Sequence, residues 1–100
     1  MTERRSVYHV RRTDTNQQEV MDALRAAHYL VVDTHTLGKG FPDLVVSRHG
    51  HIFLLEVKTR DGKLTEDERR FISDGWPVLV VISGQDAINK MRDALELKEY

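Results

Sequence analysis

Apolar and polar positions along this chain switch between helical and strand-like spacing, and the switches mark its elements. Residues 1–13 hold neither period for long, despite the short "VYHV", and are expected to form a flexible leader. From Thr15 the spacing becomes helical: Thr15 with Gln18 three residues on resembles a capping box, and Val20, Leu24 and Ala27 recur on one side, predicting a helix over 16–28. "YLVVDTH" then suits a strand, and Gly38, Gly40 and Pro42 mark the loop behind it. "DLVVSR" and "HIFLLEVK" follow as two more strands, joined antiparallel at His49-Gly50, where glycine supplies the positive φ of a tight hairpin.

Thr65 has the character of an N-cap, with Glu66, Asp67 and Glu68 favouring the positive end of a short helix that runs to about Ser73 and stops at Gly75. "PVLVVI", from Pro77, is almost wholly apolar, which predicts a strand covered on both faces and lying inside the sheet. A last helix over 85–97 presents Ile88, Met91 and Leu95 as its packing stripe. The order is αβββαβα, an α/β fold with a mixed sheet flanked by helices. No repeat divides it, so residues 14–100 read as one domain behind the 1–13 leader.

The charge on the hairpin is harder to place. Side chains two apart on a strand share a face, so Glu56 and Lys58 project together and Val57 points the other way. A two-residue turn at His49-Gly50 pairs Arg48 with His51 and sets Asp43 directly opposite Glu56, whereas a longer turn or a bulge slides that register by one. Like charges directly opposite are destabilising unless something compensates. A divalent cation does so, since two converging carboxylates with water are a usual protein contribution to a Mg²⁺ site. Lys58 beside them adds a charge able to hold a phosphate or orient water, and the trio describes metal-assisted phosphodiester hydrolysis. The bland alternative is a strand-end ion pair worth ~0–1 kcal/mol.

Composition narrows the partners only in part. One hundred residues, 40% apolar and 31% charged, fit a single small domain that gains by pairing with a second copy, so a homodimer is expected. There is no cysteine, which removes disulfides, thiolate metal sites and cysteine nucleophiles. No apolar run approaches the ~20 residues that span a bilayer, and the first ten residues lack the apolar core of a signal peptide, so a soluble cytoplasmic protein without membrane contact is expected. Net charge is −1, but Arg4, Arg5, Arg11 and Arg12 stand against Glu3 alone in the leader. That segment reads either as a solvated tail or as an arm on phosphate.

"GFPDLVV" followed by "LLEVKT" resembles the active-site signature of the PD-(D/E)XK nuclease superfamily. More narrowly, "GKGFPDLVV...FLLEVKTRDGKLTEDERRF" resembles the VRR-NUC domain, a virus-type replication and repair nuclease module found alone in phages and within larger repair nucleases; the likeness covers about residues 15–85. It implies that Asp43, Glu56 and the Val57 backbone carbonyl bind Mg²⁺ or Mn²⁺, and that Lys58 positions the attacking water. It further implies that Glu19, on the first helix, reaches the metal directly or through water. The activity implied is a metal-dependent DNA endonuclease leaving 5′-phosphate and 3′-hydroxyl ends, structure-selective and Holliday-junction-resolvase-like as a homodimer. If phage-encoded, it acts in the host cytoplasm. The alternative from another class is a non-catalytic nucleic-acid-binding module with the same fold, and an RNA-cleaving enzyme is a third.

The chain departs from the resemblance at Glu68, where relatives usually carry glutamine. An ionised glutamate cannot donate a hydrogen bond, so a contact to substrate or water is lost, or a metal-facing acid replaces it, or Glu68 is simply exposed. Lys39 and Lys63 are open between phosphate contacts and solvent-facing loop residues, and Thr59 reads as loop. His49 and His51 read as turn residues, and His35 as structural or exposed. Trp76, at the entrance to the last strand, could stack on a base or meet a second copy, with core packing the preferred reading.

Overall fold

The computed structural model describes residues 16–99; the 1–13 leader and the Thr15 cap lie outside the described residues. Helix α1 covers 16–26, and the strands β1 (Leu30–Asp33), β2 (Leu44–Arg48) and β3 (His51–Val57) follow. Helix α2 (Glu66–Ser73), strand β4 (Val78–Val81) and helix α3 (Gly84–Glu99) complete the chain. The sheet runs β1-β2-β3-β4, antiparallel at the first two contacts and parallel between β3 and β4. The result is an α/β fold with a four-stranded mixed sheet.

Period two along the strands decides which face becomes core. Leu44, Val46, Phe53, Leu55, Val57 and Val81 are buried together with Val20, Met21 and Leu24 of α1 and Ala87, Met91 and Leu95 of α3. Thus α1 and α3 share one face of the sheet. At Gly84 the two helices approach so closely that an added Cβ would lie 2.8 Å from the Ala23 Cβ. Helix α2 lies on the other face, where Phe71 and Ile72 share a cleft with Val78 and Glu56.

Two boundaries differ from the sequence reading. Helix α1 ends at residue 26 rather than 28, because His28 takes φ 72 and closes a Schellman turn, with Tyr29 N–H donating to the Leu24 carbonyl and His28 N–H to that of Arg25. Strand β1 stops at Asp33, whose carboxylate accepts the His35 N–H at 3.0 Å and opens a short 3₁₀ turn, His35–Leu37.

One placement is corrected outright: β4 is an outer strand, not an interior one. Its apolar run reflects cover on both faces, from α3 on one side and from α2 on the other, not a strand neighbour on each side. Both outer strands are closed by a basic side chain. Arg25 of α1 donates to the Val31 carbonyl of β1 at 3.0 Å, and Lys90 of α3 donates to the Val80 carbonyl of β4 at 2.7 Å. Such charges on an edge block strand addition.

Gly40 fixes where α2 sits. Its φ is +84°, and a Cβ there would lie 2.4 Å from the Asp67 backbone oxygen. Gly40→Ala is expected to destabilise by roughly 2 to 3 kcal/mol, from left-handed strain plus a backbone clash. Urea unfolding measures it, and a loss below about 1 kcal/mol would show that the loop and helix separate freely.

Candidate active site

The hairpin geometry sets the site. His49 (φ 53°) and Gly50 (φ 81°) form the two-residue turn with positive φ at both positions, and Arg48 pairs with His51, Leu44 with Leu55. Continuing that register puts Asp43 opposite Glu56, at the end of the sheet where β1 and β3 also finish. Asp43 is clamped there: the Thr34 N–H donates to its carbonyl at 2.8 Å, the Thr34 hydroxyl donates to the Pro42 carbonyl at 2.7 Å, and the Asp43 carboxylate accepts the Val57 N–H at 2.9 Å.

Glu56 is the most enclosed of the acids, at 3% exposure, on the face that α2 covers. Its carboxyl is pushed up to about 9, first by burial, then by the hydrogen bond with Glu68 and the charge of Asp43. Burial also raises Asp43, against the hydrogen bonds from Val57 and Glu56 that lower it. At neutral pH Glu56 is therefore the protonated member, sharing its proton with carboxylates on either side.

Lys58 supplies the positive charge. Its Nζ lies 2.8 Å from Glu68 Oε1 and 3.6 Å from Glu56 Oε2. Burial alone would lower its pKa, but the hydrogen bond to Glu68 and the surrounding acids outweigh that and raise it, so Lys58 stays an ammonium. Glu68 is held below the usual carboxylate range: burial opposes this, while hydrogen bonds from Glu56, Lys58 and the Thr65 backbone prevail. The same Oε1 accepts the Thr65 N–H at 2.8 Å, and Glu68 N–H donates to the Thr65 hydroxyl at 3.1 Å, completing the capping box of α2. The helix cap and the site lysine thus share one oxygen atom.

No family model, curated relative or solved structure matches the chain. The site is accordingly read from its own groups.

The structure brings Asp43, Glu56, Lys58 and Glu68 together, and Val57 joins them through its amide, which holds Asp43. Glu19 is placed elsewhere in its contacts: it is exposed on α1, and its Oε2 accepts the Gly84 N–H at 3.3 Å, at the start of α3. Lys39 and Lys63 are exposed in the loops before Asp43 and after Lys58, and Thr59 is exposed as well. His49 and His51 sit at the turn, at the far end of the hairpin from Asp43. His35 Nδ1 pairs with Asp33 at 2.7 Å, and the buried Gln17 donates to the same oxygen at 2.8 Å. Trp76 is 54% exposed, which corrects the core-packing reading.

Two positioning residues have no local sequence signal. Asn16 donates to the Lys58 carbonyl at 3.2 Å across 42 residues of chain, and Thr34 clamps Asp43 from the residue just past β1. Among the described residues, no group of three or more His, Asp or Glu side chains is arranged as a ready metal cage. Asp43 and Glu68 flank Glu56 on either side, and one oxygen of Glu68 is already shared by Lys58 and the Thr65 N–H.

Proposed function

We propose that the protein is a metal-dependent DNA endonuclease on a PD-(D/E)XK core, hydrolysing phosphodiester bonds. The observation that carries this reading is the convergence of the Asp43 and Glu56 carboxylates, from neighbouring strands, beside the Lys58 ammonium. Two acids close enough to share a proton form a place where a cation can substitute for that proton, and all the donors are hard oxygens. The residues present therefore fit Mg²⁺ or Mn²⁺, held by Asp43 and Glu56, with the Val57 carbonyl as a further ligand by the sequence resemblance; Glu19, the other ligand the resemblance implies, would have to leave the Gly84 N–H to join them. Such an ion, when bound, acidifies water and neutralises charge on phosphoryl oxygens.

The chain's own groups have distinct tasks. The Val57 N–H fixes one oxygen of Asp43 and so orients the other. To hold a cation, Glu56 would give up the proton that its raised pKa keeps at neutral pH. Lys58, kept cationic by Glu68, faces developing negative charge on the phosphate or orients the attacking water; it does not act as a base. Water would attack phosphorus as the bond to the 3′ oxygen breaks, its hydroxyl staying on phosphorus and its proton ending on the departing 3′ oxygen, so that no protein nucleophile is needed.

Branched DNA cut by a homodimer is the finer form of the proposal. Its support is the sequence resemblance together with the small size of the chain.

The test is direct. Purified protein is incubated with duplex DNA, a four-way junction and RNA in Mg²⁺, Mn²⁺ or EDTA, with Asp43→Ala prepared in parallel to control for contaminating nuclease. DNA cutting that requires the metal is expected. Binding without cutting on every substrate would instead mark a non-catalytic nucleic-acid-binding module.

A further inference from the structure

Beside the acids runs a chain of aromatic rings that hydrolysis leaves unused. Phe41, two residues before Asp43, meets Phe71 of α2 edge to face, with ring centroids 5.6 Å apart and planes at 69°. Phe71 in turn stacks on Trp76 at 5.5 Å and 18°. Gly75, at φ +117°, ends α2 and turns the chain so that the indole folds back over Phe71. Phe71 also lines the cleft that holds Glu56 and Glu68. The series therefore leads from the candidate catalytic acids to an indole that is 54% exposed.

An indole held flat on one ring, with about half of its surface in solvent, presents an aromatic face whose orientation is already fixed. The same arrangement is what a stacking platform needs: Phe71 fixes the plane in advance, so little ordering entropy is lost when a second flat group lands on it. Arg69 and Arg70 lie exposed on α2, each balanced by an acid, Glu66 at 3.7 Å and Asp67 at 3.2 Å. Asp74, two residues before Trp76 in sequence, is a further exposed acid. This outer surface is short of the net positive charge that backbone tracking uses, and stacking on a π-face does not need it.

We infer that Trp76 is a stacking platform for one unpaired nucleobase of a DNA strand bound at the acids. A base inside a duplex is already stacked on both faces and must first be extruded, whereas an unpaired one is ready to stack. The inference rests on the nuclease reading for its choice of DNA.

Trp76 is the single tryptophan of the chain, so its emission reports the contact whether or not cutting occurs. The full chain in EDTA is titrated with a paired duplex, the same duplex bearing one bulged base, and a version whose bulge is abasic. Quenching by the bulged duplex alone is expected. In Mg²⁺, Trp76→Ala should reduce the preference for bulged over paired DNA, as a ratio of kcat/KM, by roughly 5- to 100-fold, mostly through KM, and Trp76→Phe should retain most of it.

Equal quenching by all three DNAs overturns the inference, as does an equal loss on every substrate in Trp76→Ala. Emission that changes with protein concentration in the absence of DNA also overturns it, and assigns the indole to a contact between copies. If DNA is bound and never cut, the nuclease reading falls while the quenching pattern still decides the role of Trp76. If no DNA is bound, both fall.

Discussion

Glu56→Gln should abolish metal-dependent cutting and, in EDTA at pH 8, melt at a higher temperature than the wild type. The two effects share one cause. Glu56 is almost fully enclosed, and burial, with Glu68 and Asp43 adding to it, pushes its carboxyl up to about 9 from an ordinary value of 4.5. Between those values the native state keeps a proton that the unfolded chain releases. Native-bound protons then exceed unfolded-bound ones, so stability falls as pH rises through this window. Glutamine imitates the protonated acid and removes that dependence. A single shifted pKa unit is worth about 1.4 kcal/mol, and in a domain of this size that amounts to roughly 6–11 °C in Tm.

Thermal melts in EDTA from pH 5 to 9 measure the slope. Wild type should lose stability toward alkaline pH, and Glu56→Gln should lose much less. The raised carboxyl is the wrong account if wild-type Tm is flat or climbs over that range. Cutting by the variant should fall ~10³-fold or more, since losing a metal ligand forfeits several kcal/mol of charge stabilisation.

Lys58→Met is expected to act with opposite sign on stability and with similar force on activity. Its ammonium stands within 2.8 Å of Glu68 and 3.6 Å of Glu56, and only 18% of the lysine side chain is exposed. Methionine keeps much of the stem and removes the charge, leaving three acids with no nearby cation. Breaking a buried ion pair from one side costs about 3–5 kcal/mol; solvent reaches this one, so a loss of roughly 2 kcal/mol is expected. Saturating Mg²⁺ should return part of it by supplying charge to the same acids, an effect visible as a larger metal-induced rise in Tm than wild type shows. A variant as stable as wild type in EDTA would mean that the acids need no counter-charge. Cleavage at saturating metal should still drop ~10²-fold, from loss of the charge that faces the phosphate.

The hairpin was legible because its rules are local. The turn type follows from His49-Gly50, the register from the turn, and the Asp43–Glu56 opposition from the register. The α2 cap was legible for the same reason, since Thr65 and Glu68 are three residues apart. The end of α1 was not: the left-handed position is filled by His28, and nothing in its neighbourhood announces that a histidine will take the place of glycine. Strand β4 misled because an apolar run reports cover above and below a strand and is silent about its flanks. At Glu68 the departure from glutamine was visible, but its contact with Lys58 depends on how α2 docks, which Gly40 and Asp67 decide from far apart in the chain. The exposure of Trp76 was hidden for the same reason, since its place over Phe71 depends on where α2 docks and on the turn at Gly75.

Arg25 and Lys90 stopper the two flanks of the sheet, one from each of the helices on its buried face. Among the described residues, each outer strand thus has one backbone carbonyl already taken by a cation, which hinders pairing with a further strand. A copy of this chain that paired with another through β1 or β4 would first have to displace Arg25 or Lys90, so the helices and the open sheet face are the less obstructed surfaces for such a contact.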